Sequence, residues 1–74
     1  MLSLTRRAEL VQEVATLETQ WEQLRETLKQ CQMVSHDTTL HQSERAIAHY
    51  RIGSIQIDII RLARRIDDVQ WLLA

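Results

Sequence analysis

The chain has 74 residues, with one cysteine, one glycine and no proline, and its nine Lys and Arg against ten Asp and Glu leave a net charge of −1. A chain this short allows one domain, whose core seldom supplies more than about 3–5 kcal/mol of net stability. The lone Cys31 excludes an internal disulfide and a Cys-rich zinc site and points to a reduced compartment such as the cytosol, and the near-neutral charge gives no general attraction to nucleic acid or acidic membrane.

The opening Met1-Leu2-Ser3-Leu4-Thr5-Arg6-Arg7 leads to Glu9 and Glu13 rather than to an unbroken apolar run, so it does not read as a secretory signal. No stretch approaches the roughly 20 apolar residues of a membrane span, and the wealth of Leu, Ile, Gln, Glu and Arg predicts an all-α fold. Leu10, Val14, Leu17, Trp21, Leu24, Leu28 and Cys31 then recur at alternating steps of four and three, which is the seam of a packed helix. Thr5 or Ser3 is placed to cap it and Glu9 to sit near the positive end of its dipole, giving a first helix over about 5–34. A shorter apolar stripe, Leu4, Ala8, Val11 and Ala15, falls opposite the N-terminal part of the seam and gives way to Glu22, Glu26 and Lys29.

After Met33 and Val34 the segment Ser35-His36-Asp37-Thr38-Thr39 gathers short polar side chains that compete for backbone groups, and it predicts a turn over about 35–39. Thr39 with Gln42 fits a capping box and Asp37 is the alternative cap, so the second helix should begin between 38 and 41 and run to about 73. A link this short joins antiparallel neighbours. The fold class is therefore all-α, an antiparallel two-helix hairpin of rods about 40–50 Å long crossing at about +20°.

The second helix carries its own seam, Ala48, Ile52, Ile55, Ile59, Leu62, Ile66, Val69 and Leu73. At about 100° per residue, Ala46, Tyr50, Gly53, Ile57, Ile60 and Trp71 lie roughly opposite it. One partner helix covers only one of two apolar faces, so the other is expected against a second protein or a second copy of this chain, the latter giving a homodimeric helical bundle. The expected partner-binding positions are Leu4, Ala8, Val11, Tyr50, Gly53, Ile57, Ile60 and Trp71, with the first three joining Trp71 in one surface. Gly53 marks either close approach of another backbone or a kink at Gly53-Ser54.

Nothing in the pattern points to catalysis, a metal or a cofactor. His36, His41 and His49 lack ligand spacing, one glycine makes no phosphate loop, and a hairpin offers no cleft for a Ser-His-Asp arrangement. Cys31 reads as a small apolar core group. Arg61, Arg64 and Arg65 are followed by Asp67 and Asp68, so Arg64 is expected to pair with Asp68 on a solvated, self-neutralising face. The run from Arg61 to Leu73 looks faintly like the opening helix of the all-helical chorismate mutases. In that family, however, the segment begins the chain and is followed by helices bearing charged substrate ligands.

The opening Leu4-Thr5-Arg6, the polar turn with Asp37 and the isoleucine-rich Ser54-Ile55-Gln56-Ile57-Asp58-Ile59-Ile60 resemble the small YscE/EscE-type cochaperones of type III secretion needle subunits, over nearly the whole chain. Where members of that family often show a tyrosine near the start of the second helix, this chain has Leu40-His41-Gln42. The resemblance implies a non-enzymatic, cytoplasmic bacterial protein. Such a protein pairs with a larger helical-repeat cochaperone, and together they keep the needle subunit monomeric before export.

Overall fold

The computed structural model describes residues 2–74, so Met1 of the opening segment lies outside the described residues. Two helices, α1 (Leu4–His36) and α2 (Gln42–Leu73), form an antiparallel hairpin of 56 × 15 × 13 Å. Its radius of gyration is 16.9 Å, against about 11 Å for a compact domain of this length. The rod shape leaves most side chains at the surface.

Both seams close on each other as the periodicity demands. Every seam position of α1 from Leu10 to Cys31 and of α2 from Ala48 to Leu73 is buried or half-buried. The core is nonetheless thin: among the described residues only Leu10, Cys31, Ala48, Ile55 and Val69 are buried, and only Leu10 and Val69 completely. The register is tied near both ends. Arg65 donates from Nε and Nη2 to Glu13 Oε1 at 2.9 and 2.7 Å, and Arg45 Nε donates to the Ser35 carbonyl at 3.3 Å. Of the basic cluster Glu13 takes Arg65, and the expected Arg64–Asp68 pair is not formed. Among the described residues the ion pairs are Arg65–Glu13 and Arg6–Glu9. Arg65 lies at the level of Glu13, and its guanidinium pairs across the helices rather than with Asp68 along its own.

The helix ends depart from expectation by a few residues, for identifiable reasons. Ser3, rather than Thr5, caps α1, its hydroxyl accepting from the Arg6 amide at 3.1 Å. The helix thus starts at Leu4, and Glu9 falls in its second turn, where it pairs with Arg6 at 3.3 Å instead of facing the free amides. α1 runs on to His36. Asp37 follows it and closes a local turn, its Oδ1 accepting from the Thr39 amide at 2.9 Å and the Thr39 hydroxyl at 2.6 Å. That engagement occupies Thr39, so the capping box with Gln42 does not form. His41 caps α2 instead, with Nδ1 accepting from the Ser43 amide at 3.2 Å, and the linker is Asp37–His41 rather than 35–39.

The hydrogen bonds from the Thr39 hydroxyl and amide, with a smaller contribution from the Arg45 charge, hold the Asp37 carboxyl below its ordinary value of 3.8. A carboxylate with a lowered folded pKa stabilises the fold fully above the unfolded value and loses that contribution as pH falls through the folded one. Thermal melts taken from neutral pH down into the acid range should therefore show a component of acid destabilisation, setting in below about pH 4, that Asp37→Asn lacks.

Candidate partner-binding surface

A helix that exposes apolar side chains along one face, in a chain with so small a core, carries surface that water alone does not account for. Tyr50 is 83% exposed, Trp71 80%, Ile60 60% and Ile57 52%. All four lie on the face of α2 turned away from α1, as the angular reading placed them. Gly53 is exposed on the same face. α2 continues as one helix through Gly53 and Ser54. A Cβ built on Gly53 meets nothing within 4 Å, so no backbone of the hairpin approaches it. Gly53→Ala should then raise the stability of the isolated hairpin by about 1 kcal/mol, read as a melting temperature higher by several degrees.

On α1, Leu4 is 88% exposed and Val11 54%; Ala8 and Ala15 are exposed beside them. This stripe was expected opposite the seam, and all four of its positions are exposed. Ala15 also lines an open groove between the helices together with Trp21, Ala63 and Ile66. The groove has an acidic rim, Glu18, Glu22 and Asp67. Within it Trp21 is half-buried, its ring covered by the Arg25 guanidinium 4.7 Å from the centroid, and its Nε1 is buried with no acceptor.

Periodicity passed over several apolar positions that the fold exposes, Ile47, Met33 and Leu72. Ile47 is 63% exposed and lines a second groove with Val34, Cys31 and Ala48. It belongs to neither stripe of α2, since it falls about a quarter turn from the seam on the other flank. Met33, 67% exposed, lies near the turn end of α1.

Cys31 is buried in the seam as a free thiol. His41 serves as a helix cap, and among the described residues no three metal-ligating side chains are grouped to hold an ion. Among the same residues no helix is long and apolar enough to cross a membrane. Comparison with protein-family models, curated proteins and solved structures returns no match.

Proposed function

We propose that this chain is a non-enzymatic adaptor of the YscE/EscE type, a cytoplasmic bacterial cochaperone that docks on a larger helical-repeat partner. The pair then helps to keep a secretion needle subunit soluble before export. The observation that carries this reading is the outer face of α2, where Tyr50, Ile57, Ile60 and Trp71 stand more than half exposed while the inner face is closed by α1. Aromatic side chains with a polar tip suit such an interface, because they bury large area while keeping a hydrogen-bonding group. A hairpin with few fully buried side chains also gains stability from any partner that binds only the folded form, by about 2.7 kcal/mol when the partner is present at a hundred times its Kd.

Affinity capture of the tagged chain from a host carrying the surrounding operon tests the reading. Co-purification of a helical-repeat protein, and a higher, sharper melt of the hairpin on adding it, is the expected result. Capture with neither a helical-repeat protein nor a needle subunit would overturn it.

A further inference from the structure

The groove between the helices is lined by none of the four side chains that mark the outer face of α2. Ala15, Thr19 and Glu22 follow one another at i, i+4 and i+7 on α1, and Ala63, Ile66 and Asp67 at i, i+3 and i+4 on α2, so each rod gives the groove one row of side chains. We propose that this groove takes a basic amphipathic helix of a partner protein, its apolar side chains seated between the two rows and its Lys or Arg side chains on Glu18, Glu22 and Asp67.

Shape selects a helix. The groove has a volume of about 490 Å³ and is open to solvent, so a small molecule in it keeps much of its surface in water, whereas ligand pockets bury most of theirs. A third rod laid along two others covers the whole trough, as helices do in a bundle. Ala15, Thr19 and Ala63 are small enough to let its backbone come close, and the half-buried Ile66 and Trp21 give its apolar side chains a seat.

Charge selects the sign of that helix. The chain as a whole is nearly neutral, yet three carboxylates and no basic side chain line this groove. Glu18, Glu22 and Asp67 are exposed, and none of them belongs to either ion pair found among the described residues. Arg25, three residues from Glu22, lies over the Trp21 ring instead. A cationic partner therefore meets carboxylates that the hairpin leaves unpaired, which is the complementarity that fixes partner and orientation at an interface. Trp21 also has its Nε1 buried without an acceptor, a donor the hairpin does not satisfy by itself.

Titration of the full ¹⁵N-labelled chain with an amphipathic peptide of about 18 Leu and Lys residues, and with its Leu and Glu counterpart, tests the proposal. The indole N–H signal of Trp21 and the amides around Ala15 to Glu22 and Ala63 to Asp67 should move, while those of Tyr50 and Ile57 stay. The Lys peptide should bind about tenfold more tightly than the Glu peptide at low salt, an advantage that added salt erodes. Changing Glu18→Gln, Glu22→Gln and Asp67→Asn together should remove that preference, and the equal loss of charge in Glu9→Gln, Glu44→Gln and Asp58→Asn should leave it. Thr19→Arg, at an exposed position in the groove, should block binding with helicity by circular dichroism unchanged. No binding of the Lys peptide, shifts confined to the outer face of α2, or a preference that survives the first triple change overturns the proposal. The adaptor reading fails separately: Ile57→Asp should abolish capture of a helical-repeat protein and leave peptide binding intact, and Thr19→Arg should do the reverse.

Discussion

Ile57→Asp is expected to leave the helical content of the hairpin unchanged at low temperature while abolishing its association. Ile59→Asp, two residues on, is expected to unfold it. The two substitutions are chemically identical and the intrinsic helix propensities of Ile and Asp differ by only a few tenths of a kcal/mol, so any difference comes from where the side chain points. Ile57 is 52% exposed on the outer face, where a carboxylate stays hydrated within the hairpin. Ile59 sits half-buried in the seam against α1, where a carboxylate loses hydration without gaining a partner. That loss amounts to several kcal/mol, as much as a core of this size supplies. Far-UV circular dichroism reads the first effect and sedimentation the second. Equal loss of helicity in both variants would overturn the assignment of faces.

Leu10→Ala is expected to leave most of the isolated hairpin unfolded at room temperature. Among the described residues Leu10 is one of two completely buried side chains, the other being Val69, at the end of the seam where α1 begins and α2 ends. Truncating a buried leucine removes about 2–5 kcal/mol, comparable with the whole net stability expected here. A rod one helix deep also has no surrounding shell to relax into the gap. Leu4→Ala, at a side chain 88% exposed, should change stability by less than about 0.5 kcal/mol. Urea titrations followed by circular dichroism separate the two, and equal midpoints would show that the buried seam does not hold the hairpin together.

The contrast between Ile57 and Ile59 was legible in the sequence because heptad spacing over so long a run leaves one rotational solution per helix. A shift by one residue would turn charged side chains such as Glu13 or Arg51 into the seam. The flank positions were less legible. Ile47 lies about a quarter of a turn from its seam, where a few degrees of helix rotation decide between outer face and groove. Arg65 likewise had acidic candidates on its own helix, and only the level at which α1 lies beside α2 brings Glu13 within 2.7 Å. At the turn, Asp37 and Thr39 read as the candidate caps of α2, and His41 did not. Which residue capped depended on where α2 had to enter to meet the seam, and the bond from Thr39 to Asp37 then left His41 as the free acceptor.

By itself, then, the sequence determined that there are two helices, that they fold back on each other, and which side chains each presents inward, since apolar period and a single polar break admit no other compact arrangement. Only the tertiary structure decided the register and the caps around the turn. These depend on the rotation and relative level of two packed rods, and those are set by the sum of contacts along the whole interface rather than by any local run of residues.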